Sequence, residues 1–284
     1  MNKNPDELWR LAKLAEEAAA KAAAYIKGRR PAVVEHKDGG DGAASQVVTE
    51  VDRGSEAIIL ETLQPALGDF GLLTEERDDD GSRLRAPAFW CIDPLDGTLA
   101  YIRGRRGPAV SISLVRQDGV PLVGVMHDVF SGQRAQAVLD GGLVVDGDEW
   151  WPWTRSGVMQ VFGDWSFDDV PTNRRIAEQL GSVAINVGQA AVLNAWCALT
   201  FPPAVYFKLP RAGRGGGCLW DYAATACFFR EAGGVATTFA GEPLPLNRPD
   251  TPFLADCGVM FASDQILADK VRAAVLTVQP ERPA

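Results

Sequence analysis

The sequence predicts an α+β / α/β fold in two lobes, an N-terminal α+β lobe over residues 1–146 and a C-terminal α/β lobe over residues 147–284. Three observations carry that expectation. A long helix-period pattern opens the chain, closely spaced hairpin signals follow it, and beyond about Gly147 strand and helix patterns alternate. With 284 residues and an apolar share of 46%, the chain can bury a large core as two lobes of one molecule.

The elements follow in order. Asn4-Pro5-Asp6-Glu7 supplies an N-cap, a proline at the first helical position and a capping-box glutamate. Leu8, Leu11, Leu14, Ala15, Ala18, Ala22 and Ile26 then recur at helical spacing until Gly28 and Pro31. Lys37 to Ser45 reads as a polar glycine-rich loop, and His36 is read as lying in a polar loop. Thr49 to Asp52 leads into a helix through Ile58, Ile59, Leu60 and Leu63, with Asp52 in its first turn. Leu72-Leu73-Thr74 is a short strand ending in Glu75 and Glu76, and the acids Asp78 to Asp80 beyond it read as solvated surface. Phe89 to Ile92 is the end of a buried strand that Pro94 should stop, because proline lacks an N–H. Ala109 to Arg116 and Val120 to Val129 flank a Gln117-Asp118-Gly119 turn as a hairpin, and Gln133 to Val138 with the Asp140-Gly141-Gly142 turn extends the sheet. Helices are predicted near Asn173 to Leu180, Gln189 to Leu199 and Asp221 to Ala232, the last closed by Gly233-Gly234.

The chemistry concentrates at Asp93-Pro94-Leu95-Asp96-Gly97-Thr98. Two carboxylates this close repel one another unless a cation neutralises them. Carboxylates, a carbonyl and water suit Mg²⁺, Mn²⁺ or Ca²⁺ rather than Zn²⁺. Gly97 permits close main-chain approach, and its N–H with that of Thr98 can face an anion where a helical turn begins. Asp-Pro and Asp-Gly are also ordinary turn formers, so further acids must decide between the two readings. Asp52 is one candidate, with the alternative of a residue that favours the helix dipole. Glu75 is another because it directly follows a buried run. Asp221 is a third, with the alternative of a helix N-cap.

Taken in order, Val48 to Asp52, Leu73 to Glu76, Trp90 to Thr98, and Trp220 to Ala224 with Glu231 to Gly234 resemble the motifs of the inositol monophosphatase family. That family includes 3'(2'),5'-bisphosphate nucleotidases and is related to fructose-1,6-bisphosphatase. The resemblance runs from about Lys37 to the C-terminal region. It implies a layered α-β-α-β-α sandwich of the sugar-phosphatase type and a Mg²⁺-dependent, lithium-sensitive phosphomonoesterase using two or three ions, with Mn²⁺ as a substitute and Ca²⁺ or Li⁺ as inhibitors. It implies that Glu75, Asp93 and the carbonyl of Leu95 hold a first ion. Asp93, Asp96 and Asp221 hold a second, and Glu76 contributes to a weaker third. It further implies that Asp52 and Thr98 orient the attacking water and that the Gly97 and Thr98 amides cradle the phosphate. Paired metals can supply the large barrier reduction that phosphate-monoester hydrolysis needs without a covalent nucleophile.

Departures from the family patterns bear on the substrate. Leu99 stands where the nucleotidases often have lysine. Tyr206 to Gly217 is basic and longer where inositol monophosphatases carry an acidic residue that grips substrate hydroxyls, and Gln189 replaces a small or hydroxyl residue. Lys208, Arg211 and Arg214 are therefore candidate substrate-binding residues, with solvated surface as the alternative. The expected substrate is a small phosphorylated metabolite, first a 3'(2'),5'-bisphosphate nucleotide. The alternatives are inositol monophosphate, or another sugar or alcohol phosphate such as histidinol phosphate. A non-catalytic metal- or ligand-binding regulatory protein is the reading from a different class.

Net charge of −9 argues against a nucleic-acid polymer as partner. Five cysteines without paired spacing suggest reduced thiols, and no apolar run reaches the ~18 residues a membrane span needs, so the expectation is a cytoplasmic enzyme with no membrane partner. His36 and His127 are read as structural or solvated. Trp150, Trp151, Trp153 and Trp165 are read as packing at the lobe junction or a homodimer contact rather than a base-stacking platform.

Overall fold

The computed structural model describes residues 4–30, 34–36, 47–150, 157–181, 183–213 and 217–278. The Lys37 to Ser45 loop, Trp151 and Trp153, and Arg214 lie outside the described residues.

Helix α1 (Pro5–Lys27) begins as expected, with the Asn4 side chain accepting from the Glu7 amide at 2.9 Å, and its alanine-rich face is buried. Strands β1 (Val34–His36) and β2 (Val47–Thr49) form a small antiparallel pair, so His36 lies in a strand rather than a loop. Next come α2 (Glu50–Leu67), β3 (Gly71–Thr74), the short α3 (Ser82–Arg85), β4 (Ala88–Asp96) and the short α4 (Thr98–Ile102). An antiparallel meander follows, β5 (Ala109–Arg116), β6 (Pro121–Asp128), β7 (Arg134–Val138), β8 (Gly142–Val145) and β9 (Asp148–Glu149). The first large sheet runs β3-β4-β5-β6-β7-β8-β9, antiparallel except for the β3–β4 pair.

The second half contains β10 (Met159–Gly163), a single 3₁₀ turn, α5 (Pro171–Gln179), β11 (Val183–Val187), α6 (Ala191–Thr200), β12 (Ala204–Lys208), α7 (Leu219–Ala232), β13 (Val235–Thr237), β14 (Val259–Ala262) and α8 (Gln265–Thr277). Its sheet has the order β11-β10-β12-β14-β13, with β10 parallel to both neighbours.

Strand alternation builds the layers. Along β4, Trp90 and Ile92 face α1 and α2, whereas Phe89 and Cys91 face α6 and α7. The opposite side of α6 and α7 meets Tyr206 and Phe261 of the second sheet. That sheet's other face, with Val205, Phe207 and Met260, packs on α5 and α8. The result is the expected α-β-α-β-α sandwich.

One local expectation is corrected. Pro94 does not end its strand. Strand β4 continues to Asp96, and the register shifts between Asp93, opposite Ser111, and Asp96, opposite Ala109. Proline is accommodated because a bulge removes the demand for a ladder N–H there, and the bulge re-aims the carboxylates on either side. The Pro94 carbonyl instead accepts from Ser55 Oγ of α2 at 2.7 Å.

Candidate active site

The carboxylates reach one another from four elements. Asp93 and Asp96 leave the bulged end of β4, and both are buried. Asp221 comes from the first turn of α7. It is not the N-cap, since Cys218 holds that place and α7 begins at Leu219. Asp221 occupies the third helical position and accepts from the Cys218 amide at 2.7 Å. Asp52 occupies the same position of α2, accepting from the Thr49 amide at 2.8 Å. In both helices the capping box fixes one carboxylate oxygen and leaves the other to serve the site. The capping and functional readings of Asp52 and Asp221 therefore hold together.

Asp93, Asp96 and Asp221 offer oxygens that all lie within 4.8 Å of one another. Asp93 Oδ1 accepts from the Leu95 amide at 2.9 Å, and Asp96 Oδ2 accepts from the Val192 amide at the start of α6 at 2.8 Å. At an effective dielectric of about 20, each pair of ionised carboxylates at that separation repels by about 3 kcal/mol. Burial pushes the Asp93 carboxyl far above its usual range, and Glu75, Asp96 and Asp221 add to the shift. Asp96 is raised by burial and then by Asp221, and Asp221 is itself raised chiefly by burial. An all-oxygen set that repels itself fits a hard divalent cation, whose charge would remove the penalty.

Glu75 is half-buried and lies outside that closest trio. Its amide donates to the Ile92 carbonyl at 3.2 Å, extending the β3–β4 ladder, and its charge acts on Asp93, Asp96 and Asp52. Glu76 is also half-buried, and its charge acts on Arg53. Thr98 opens α4 with Gly97 as the preceding cap at φ 90°, a left-handed conformation that glycine adopts without strain. Thr98 Oγ1 lies 2.7 Å from Asp52 Oδ1 and 3.2 Å from the Leu95 carbonyl. The Asp52 carboxyl is raised by burial, with the Thr49 and Thr98 hydrogen bonds opposing the shift.

The three candidate substrate residues separate. Lys208 is the last residue of β12 rather than part of a surface loop, half-buried and paired with Asp164 at 2.8 Å. Burial works against its charge, but Asp164, Tyr206 and Asp221 together outweigh that and hold the ammonium above its ordinary pKa. Tyr206, two residues earlier on the same strand face, lies 3.5 Å from Tyr222 through their hydroxyls, so Lys208 projects toward the start of α7 and Asp221. Arg211 is exposed and anchored by its main-chain N–H to the Ala255 carbonyl at 2.8 Å. Asp164 was not singled out from sequence. The available signal was its place directly after Val161-Phe162-Gly163, the same pattern that marks Glu75.

A model of the inositol monophosphatase family matches residues 7–279. The chain belongs to the inositol monophosphatase family. It is 29% identical over 247 residues to the inositol-1-monophosphatase of Synechocystis, covering 86% of this chain and 84% of that protein. It is 30% identical over 229 residues to the Nus factor SuhB of Xylella fastidiosa, covering 80% and 78%. Among solved structures, the inositol monophosphatase of Anabaena superposes with a TM-score of 0.74 at 24% identity, over 96% of this chain and 98% of that one. The suhB protein of Bartonella henselae gives 0.75 at 22% identity, over 94% and 99%. Members of this family are metal-dependent phosphatases of small phosphorylated substrates, and this chain is a phosphoric monoester hydrolase of that class. Among the described residues, no helix is long and apolar enough to cross a membrane.

Proposed function

We propose that this phosphatase uses Mg²⁺ to hydrolyse a small phosphate monoester by direct attack of water. The convergence of Asp93, Asp96 and Asp221 from β4 and α7 carries the reading. Those three would hold the ion, with Glu75 and the Leu95 carbonyl as further ligands and Glu76 at a weaker position. A divalent ion there would supply Lewis acidity toward the phosphate and a water more acidic than bulk water. The protein's own part is proton handling and positioning. By donating to Asp52, Thr98 keeps oxygen lone pairs that can accept a hydrogen from water, and Asp52 stands behind it as proton acceptor. The Gly97 and Thr98 amides at the start of α4 would face phosphate oxygens.

For the ester, Lys208 supports a substrate with anionic character beyond the scissile phosphate, such as a 3'(2'),5'-bisphosphate nucleotide, with Arg211 and Arg214 as outer contributors. The second reading, an inositol or other alcohol monophosphate, is favoured by the names of the relatives. The test is phosphate release from adenosine 3',5'-bisphosphate, inositol 1-phosphate, fructose 1,6-bisphosphate and histidinol phosphate, each with Mg²⁺ and with EDTA. Release that requires Mg²⁺ is expected. Absence of release from every ester would favour a binding protein, and a preference for inositol 1-phosphate would favour the second reading.

A further inference from the structure

The exit of β10 gathers Lys208 and, beside it, two arginines that the proposed function does not use. Asp164 and Trp165 follow Gly163 at that exit. Asp164 holds Lys208, while Trp165 carries two guanidiniums on its ring, Arg105 Cζ at 4.6 Å and Arg103 Cζ at 5.7 Å from the centroid. An arginine beside an acidic centre is expected to pair with a carboxylate. Among the described residues, neither of these two does. Stacking on indole holds a guanidinium only weakly at an exposed site, and its charge stays unneutralised.

The arrangement is built into the cleft wall. Both arginines follow α4 directly, with the Gly104 amide bonded to the Tyr101 carbonyl and the Arg105 amide to the Ala100 carbonyl, each at 2.9 Å. A Cβ at Gly107 would stand 3.3 Å from Gln189 Cα, one at Gly188 would stand 3.3 Å from the Trp165 ring, and one at Gly97 would stand 2.9 Å from Ala190 Cβ. The arginine loop, the Trp165 ring, the turn after β11 and the Gly97 turn are thus in mutual contact. Two exposed guanidiniums therefore stand on a loop that touches the Gly97 turn, in a chain whose net charge is −9.

We propose that Arg103 and Arg105, held on Trp165, form an outer subsite that takes a second phosphate of the substrate while the scissile phosphate lies at the acidic centre. This rests on the phosphatase reading above and narrows its substrate class to bisphosphates. The arginine fork matches phosphate oxygens in pairs, and stacking on the ring narrows the orientations each guanidinium must give up on binding.

The test uses the full chain with Mg²⁺, and adenosine 3',5'-bisphosphate against 4-nitrophenyl phosphate. Arg103→Ala combined with Arg105→Ala is expected to raise KM for the bisphosphate at least tenfold and to leave kcat/KM for 4-nitrophenyl phosphate within twofold. Equal losses on both esters, or no loss on either, would overturn the subsite. Calorimetric titration separates this inference from the hydrolysis it rests on. Bisphosphate binding weakened at least tenfold in the double variant supports the subsite even in a protein that releases no phosphate. A parent protein that binds the bisphosphate no more tightly than adenosine 5'-monophosphate overturns it. Trp165→Leu keeps both charges and removes the ring. Binding at least threefold weaker is expected, and unchanged binding would overturn the platform.

Discussion

Asp164→Asn isolates the ion pair at the cleft wall. Burial alone would raise the Asp164 carboxyl, yet Lys208 and two hydrogen bonds from Ser166 together outweigh it and bring the group from its ordinary 3.8 down to about 2. A difference of that size corresponds to about 2 kcal/mol of native-state stabilisation. The side chains are 21% and 22% exposed, so solvent screening trims the figure to roughly 1.5 kcal/mol. The sign follows from the depressed native pKa. The contribution is complete above about pH 4 and disappears as pH falls toward 2. Asp164→Asn should therefore lower urea-unfolding stability at pH 7 by about 1.5–2 kcal/mol, and the gap to the parent should narrow on acidification through that window. A cycle with Lys208→Met apportions the effect, because Lys208 left alone in a half-buried place is itself destabilising. A loss below about 0.5 kcal/mol, or strictly additive single variants, would show that the pair stores no energy.

Three further outcomes are expected. Asp93→Asn removes one of three mutually repelling carboxylates, so the metal-free protein should melt at a higher temperature than the parent, while the stabilisation by saturating Mg²⁺, about 2.7 kcal/mol at one hundred times Kd, should vanish along with turnover. A Mg²⁺-induced rise in Tm equal to the parent's would remove Asp93 from the ligand set. Thr98→Val should cut kcat at least one-hundredfold with the fold retained, and Thr98→Ser should restore most of it, as steady-state kinetics with circular dichroism would reveal. Gly124→Ala would put a Cβ 2.5 Å from the Ala224 carbonyl of α7, so a variant remote from the cleft should displace that helix and with it Asp221. Weaker Mg²⁺ affinity in a calorimetric titration is expected, and unchanged affinity would show that α7 can shift without moving its first turn.

The layers and most elements were legible because strand and helix periods survive in the sequence, and because caps such as Asn4 and the Gly233 turn mark helix ends. Pro94 was misjudged for a physical reason. A proline rule applies to regular ladders, and a bulge suspends it. Asp93, Asp96 and Asp221, which the fold brings together, stand out in the sequence because each directly follows an apolar run or opens a helix. Residues acting across the cleft were not. Asp164 follows an apolar run as Glu75 does, but its partner is set only when β10 and β12 lie parallel and bring it to Lys208. Lys208 itself was grouped with the glycine-rich segment on composition, whereas the period-two pattern through Tyr206 carries β12 up to it. Asp79 is exposed, as its charge run predicts, but it also accepts from Arg83 Nε at 2.7 Å, and the buried Arg83 reaches Asn247 at 2.8 Å. Only the tertiary fold brings those partners together.

The acidic centre is also a joint. Asp96 belongs to the first sheet but accepts from Val192 of α6, and Asp221 belongs to α7 but faces Asp93. Assembling the halves therefore forces carboxylates together, at about 3 kcal/mol per ionised pair, and the packing of α6 and α7 between the sheets must overcome that repulsion. A cation bound there would reverse the sign of this local balance and favour the packed arrangement. The same geometry divides labour along the cleft. The centre is built from main-chain-fixed carboxylates that tolerate little displacement, whereas the rim at β10 is built from side chains stacked or paired with one another. Substitution can alter the rim without dismantling the centre, which is how a shared catalytic apparatus can serve different phosphate esters within one family.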